Sequence, residues 1–224
     1  MSLHEALQSR STKIEVPFLR WEIDQPFSEQ AIQEVVLTDI PESRQEYDGT
    51  RAGDAKTKVA TANTRCFITP ANVHKYPALG ALVDDLLSAD TIGLCSEMLR
   101  RQMQGFLRVE VICDREGFWL EPHKDIKEKL MSMLLYVNLA GESEGLGTDI
   151  YDGNQKLVDT VPFRNNYGYM FAPANDTWHG LEKKTIQRER RSVLINYVSF
   201  PTEWVIPHRR AAVNLRARIE PCIR

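Results

Sequence analysis

The chain has little of what would let it fold without a sizeable apolar core. Cysteine is scarce, four in 224 residues, at Cys66, Cys95, Cys113 and Cys222. They form no C-x-x-C pair and no histidine stands near them at zinc-finger spacing, which argues against a disulfide framework or a structural zinc and points to the reduced thiols of a cytoplasmic protein. Glycine (12) and proline (11) are too few for collagen-like or low-complexity character. Long hydrophobic runs are missing: Leu130 to Ala140 is broken by Ser132 and Asn138 and falls far short of the roughly 20 residues a membrane helix needs. Met1 to Arg20 has no apolar core that would serve as a signal peptide. Neither charge sign dominates, with Lys plus Arg at 28, Asp plus Glu at 31 and a net charge of -3. That balance excludes nucleic-acid binding by bulk positive charge. What is present, 42% hydrophobic and 26% charged residues, is ordinary for one globular domain spanning 1–224.

The texture changes along the chain. Thr12 to Ile23 is rich in β-formers, and Pro26 to Val36 reads as a short helix capped by Ser28. Asp39 to Ala62 is polar, contains the turn pair Asp48-Gly49 and reads as a long loop, of a length that marks either a functional lid or a disordered segment. Thr64 to Thr69 is a candidate strand, while Tyr76 to Ser88 and Ala89 to Arg101 carry apolar residues at helical spacing, with Asp90-Thr91 as the cap of the second helix. From about Gly105 the pattern becomes β-like. Leu107 to Cys113 alternates as a half-buried strand does, Leu130 to Leu139 is nearly continuous, and Val158 to Pro162, Tyr167 to Ala172 and Arg191 to Phe200 follow between turn signals. Many short strands at such spacing indicate a sandwich or barrel. The expected organisation is therefore helical and β support with a lid over 1–104, a β core over 105–205 and a C-terminal tail over 206–224.

Two of the five histidines fall at the ends of these strands. His123 opens the triplet His123-Lys124-Asp125. On extended backbone, residues two apart point to the same side, so the imidazole and the carboxylate can bind one metal ion. His179, after the turn Ala172 to Asp176, is the candidate for a third ligand. Two imidazoles and one carboxylate on one face, with open positions opposite, is the ligand set of non-haem iron(II) oxygenases, although the donors alone accept several metals. Taken singly these residues have plainer readings. Asp125 can pair with Lys127 or Lys129, and His179 beside Trp178 can be a packed core histidine. The run Gln187-Arg188-Glu189-Arg190-Arg191 can be a solvated face.

Together, from about Gly105 to Phe200, they resemble the iron(II)/2-oxoglutarate-dependent dioxygenases, especially the prolyl-4-hydroxylase-like branch. Gly117 to Asp125 is similar to that family's approach to its H-x-D motif, Tyr136-Val137-Asn138 to its "YLN" strand, and Trp178-His179-Gly180 with Arg191-Ser192-Val193 to its distal histidine and its cosubstrate-binding basic residue. The family's turn glycines are separated here by Leu146, between Gly145 and Gly147. The resemblance implies an α+β fold with a mainly β core, a double-stranded β-helix (a jelly-roll or cupin-like barrel) buttressed by N-terminal helices. It implies Fe(II) on His123, Asp125 and His179, 2-oxoglutarate as cosubstrate, O2, and ascorbate as an accessory reductant. The far carboxylate of 2-oxoglutarate needs a buried cation, and Arg191 offers a bidentate fork. Alternation places Arg191 with Val193, Ile195 and Tyr197 on the inward face and turns Arg190 outward. The resemblance further implies that the Tyr136 hydroxyl meets the cosubstrate.

A carboxylate ligand at Asp125 leaves no place for a halide, which favours hydroxylation over halogenation. The expected substrate is a small molecule, with no membrane or nucleic-acid partner, because the chain is short and has no evident peptide-recognition domain. A peptidyl prolyl hydroxylase and a non-catalytic metal- or ligand-binding barrel are the alternatives. Arg51, Arg65, Arg108 and Glu110, and the arginine-rich tail His208 to Arg224, are open to either a substrate-contacting or a solvated reading.

Overall fold

The computed structural model describes residues 2–40, 49, 65–201 and 205–207. Among the described residues, four α-helices, α1 (Leu3–Ser9), α2 (Glu29–Leu37), α3 (Pro77–Leu86) and α4 (Ala89–Met98), lie in the first half of the chain. The strands are β1 (Ser11–Ile14), β2 (Arg20–Asp24), β3 (Arg65–Ile68), β4 (Phe106–Asp114), β5 (Leu120–His123) and β6 (Lys129–Val137). They continue with β7 (Thr148–Tyr151), β8 (Leu157–Val161), β9 (Tyr167–Phe171), β10 (His179–Leu181), β11 (Arg190–Val198) and β12 (Val205–Pro207). The main sheet runs β1-β2-β9-β6-β11-β4-β12, with β3 also paired to β4, and a second sheet runs β5-β10-β7-β8. Every pairing is antiparallel. From β4 to β11 the chain passes back and forth between the two sheets. The change of texture near residue 104 does not divide the structure, since β1, β2 and β3 extend the same sheet as β4.

Local chemistry explains the helices. Ser28 caps α2 by accepting from the Ala31 amide, as expected. The cap of α4 is Ser88, which accepts from the Thr91 amide, and not Asp90-Thr91, which lie inside the first turn. Helix α1, unexpected from the sequence, starts at a capping box in which Ser2 and Glu5 satisfy each other's backbone amides. At seven residues it is too short to leave a periodic signal.

Two apolar layers cover the main sheet. On one side the helices pack against Val109, Val111, Met133, Leu135, Val193 and Ile195. On the other, the two sheets enclose a smaller core that includes Tyr136, Phe163, Phe171 and Leu181. The central strands are therefore buried on both faces, and β4 is buried almost throughout instead of half-buried as its alternation suggested. Backbone approach is also close here. An ideal Cβ on Gly168 would lie 2.3 Å from the Leu134 carbonyl oxygen, so Gly168→Ala is expected to destabilise the protein by about 3 kcal/mol, measured by urea unfolding. Cys66, Cys95 and Cys113 carry free thiols. Among the described residues no helix is long and apolar enough to cross a membrane.

Candidate metal centre

The two histidines meet because their strands pair. His179 on β10 stands directly opposite His123 on β5, and the ring centroids are 4.4 Å apart. Asp125 lies just past β5, where the chain turns into β6. Donor atoms from His123, Asp125 and His179 all fall within 4.8 Å of one another. Each ring is held by its far nitrogen: His123 Nδ1 is 2.9 Å from the Glu121 carbonyl oxygen, and His179 Nδ1 is 3.0 Å from that of Thr177. A carbonyl oxygen only accepts, so Nδ1 carries the proton and the Nε2 lone pair is free for a metal ion. Burial, with the neighbouring His179, lowers the pKa of His123 to about 4, and burial lowers that of His179. Both rings are thus neutral at physiological pH, the form in which imidazole ligates metals.

Asp125 is fixed from both sides. Lys129 Nζ lies 2.5 Å from Oδ1, and the Ser132 hydroxyl donates to Oδ2 at 2.5 Å. Burial pushes this carboxyl up, but the Lys129 ammonium, then His179 and the hydrogen bonds from Lys129 and Ser132, outweigh it and hold Asp125 well below the usual carboxylate range. The pairing with Lys129 raised in the sequence is therefore present, and it coexists with the triad. Behind Ser132 the line of contacts continues. Ser132 Oγ accepts from Asn196 at 2.9 Å, Asn196 Oδ1 accepts from Arg108 at 2.8 Å, and Arg108 and Arg65 both pair with Glu110, at 2.8 and 2.5 Å. Arg65, Arg108 and Glu110 are thus members of one buried cluster, not solvated surface charges.

The triad opens into a cavity of about 80 Å³ between the sheets. Its walls include Leu134, Phe171, Leu181 and Leu194, and its polar groups beyond the triad include Ser132, Thr148, Tyr169 and Arg190. Arg190 is the buried cation of this cavity. Its Nε donates to the Leu146 carbonyl at 2.6 Å, one terminal nitrogen pairs with Asp114 at 2.7 Å, and the guanidinium rests on the rings of Tyr136 and Phe163. The leucine between the two turn glycines thus supplies a carbonyl that fixes Arg190.

Arg191 faces the other way, which corrects the sequence reading. Its NH1 donates to the carbonyls of Val35 and Thr38, each at 2.9 Å, closing the C-terminal turn of α2, and its Nε pairs with Glu189. The error has a physical source. Arg191, Val193, Ile195 and Tyr197 do share a face, but that face packs on the helices, and the Tyr197 hydroxyl donates to the Leu86 carbonyl. The most apolar alternation marks the helix layer, while the barrel interior takes Arg190, Leu194 and Asn196. Tyr136 is fully buried, with its hydroxyl 2.7 Å from Thr148 Oγ1. It therefore stands behind the cavity wall and reaches it through Thr148. Arg190, Lys129, Ser132 and Thr148 were missed as site residues. For Arg190 the signal is parity, because it alternates with Ser192 and Asn196, polar positions of β11.

Of the expected lid, Asp39, Ile40 and Gly49 are described. The Gly49 carbonyl accepts from the Glu121 amide at 2.8 Å, close beside the triad, and a Cβ on Gly49 would run into the Trp119 ring. Arg51, the rest of the segment and the tail from His208 lie outside the described residues.

No family model matches the sequence, and no curated protein matches it significantly. Solved structures do match in fold. A prolyl 4-hydroxylase from Phytophthora capsici superposes with a TM-score of 0.55 at 14% identity, over 98% of this chain and 74% of that one. A prolyl hydroxylase from Trichoplax adhaerens, solved with a hypoxia inducible factor oxygen degradation domain peptide fragment, gives a TM-score of 0.50 at 16% identity, over 88% and 87%. The chain has the mainly β fold of these prolyl hydroxylases.

Proposed function

We propose that the protein is an Fe(II)- and 2-oxoglutarate-dependent oxygenase that hydroxylates a C–H bond of a small molecule, with release of succinate and CO2. The observation that carries this reading is the convergence of two imidazoles and one carboxylate, each pinned by a second group, at the edge of a mostly apolar cavity. The passage of β4 to β11 between two sheets supports reading the barrel as a double-stranded β-helix. His123 Nε2, His179 Nε2 and Asp125 hold the metal. When bound, Fe(II) and 2-oxoglutarate supply the oxidising chemistry, drawn from O2 and the decarboxylation of the cosubstrate.

The protein's own residues set the geometry. Arg190 receives the far carboxylate of 2-oxoglutarate, a role that Arg191 cannot fill from the helix side of the sheet. Thr148, supported by Tyr136, and Tyr169 stand at the same end of the cavity and offer hydroxyl donors. Leu134, Phe171 and Leu181 keep water from the reacting centre. The charge balance suits the assignment: Arg190 is neutralised by Asp114 and Lys129 by Asp125, so a metal dication brings the net charge that a dianionic cosubstrate cancels.

A peptidyl substrate is the second reading, favoured by the peptide that the Trichoplax adhaerens protein carries. The first test needs neither. Fe(II) and 2-oxoglutarate added anaerobically to purified protein are expected to give a visible metal-to-ligand charge-transfer band. A folded, metal-loaded protein without that band would sink the 2-oxoglutarate assignment. With the band in hand, succinate release on panels of small molecules and proline-containing peptides separates the two readings.

A further inference from the structure

Lys129 has a place in the metal centre that neither the ligand set nor the fold requires. Its side chain is 12% exposed and its ammonium lies 2.5 Å from Asp125 Oδ1. It lines the same cavity as His123, Asp125 and His179. The ammonium thus stands within electrostatic reach of all three donors. We propose that Lys129 and the metal ion contest Asp125, so that Lys129 is a positioning residue that sets how tightly the site holds its cation; this rests on reading the triad as a metal centre.

The physical argument is one of like charges in a confined place. Without metal, Lys129 neutralises a buried carboxylate that would otherwise be costly to leave alone. A dication brought to the same carboxylate meets that ammonium at short range, where screening by water is weak. Metal affinity is lowered in consequence. In return the site keeps the dication's charge undiminished for the dianionic cosubstrate, because Asp125 is already balanced. Ser132 provides the comparison within the same site. It holds the other oxygen of Asp125 at the same distance but carries no charge, so it orients the carboxylate without competing for it.

The test is calorimetric titration of Mn(II) into metal-free wild type, Lys129→Met, Lys129→Arg and Ser132→Ala, with the melting temperature of each protein measured without metal. Lys129→Met is expected to bind Mn(II) at least about tenfold more tightly, while melting lower when metal-free. Lys129→Arg should stay near wild type, and Ser132→Ala should bind no more tightly than wild type. Lys129→Gln, which keeps a donor to Asp125 but not the charge, is measured in parallel and carries the test if the Met variant does not fold. Equal or weaker binding by the uncharged variants, with wild type binding normally, overturns the inference alone and leaves Lys129 as a clamp on Asp125. No Mn(II) binding by any of the proteins overturns the metal-centre reading and this inference with it.

Discussion

Replacing His179 by alanine is expected to cut Fe(II)-dependent succinate release by more than about 100-fold, since outer partners of metal ligands alone account for 10–100-fold effects. The imidazole is one of three donors, and among the described residues no other His, Cys, Asp or Glu completes such a group. The variant should still fold. The ring makes a single hydrogen bond, to the Thr177 carbonyl, and an edge contact with Phe171, so its removal breaks no ion pair. Metal content after dialysis and circular dichroism separate loss of the centre from loss of the fold. Wild-type activity in a variant that binds no metal would end the case for the triad.

The second large effect separates two adjacent arginines. The double variant Arg190→Gln with Asp114→Asn is expected to weaken 2-oxoglutarate binding about 100-fold, or ~3 kcal/mol, the scale of a hydrogen-bonded charge. Both members of the pair are changed for a reason. Their side chains are 3% and 1% exposed, and removing Arg190 alone would strand a buried carboxylate at a cost of about 3–5 kcal/mol. Arg191→Ala should do the opposite. It frees the last carbonyls of α2 and lowers stability by about 1–2 kcal/mol, with cosubstrate affinity unchanged. Titration of 2-oxoglutarate by the charge-transfer band, beside urea unfolding, reads both quantities. A cosubstrate defect confined to the Arg191 variant would restore the assignment made from the sequence.

This pair also shows how far the sequence could be read. His123, Asp125 and His179 were legible because an H-x-D triplet and a downstream histidine after a turn constrain one another, and the structure brings these three together. The strands β3, β4, β6, β8, β9 and β11 were legible because each is a run of β-formers, several of them closed by turn signals. The short strands β7 and β10 were not, since four and three residues hold too little pattern to stand out from turns. Arg190 was lost for a different reason. Alternation identifies two faces of a strand but does not say which one looks into the barrel, and here the helix layer makes the outer face the more apolar of the two. Position on β11 was right, but the choice of face is set by the helix layer packed on the sheet.

The main sheet, which walls one side of the cavity, therefore holds two messages interleaved at single-residue spacing. Along β11 the positions of Val193, Ile195 and Tyr197 write the grip on the helices, and those of Arg190, Leu194 and Asn196 write the cavity. Substitution can revise either message while the other is left intact, so the hydrophobic packing is free to drift without disturbing the chemistry. Insertion or deletion of a single residue is another matter, because it transposes the two. The strand is thus permissive to spelling and intolerant of changes in frame.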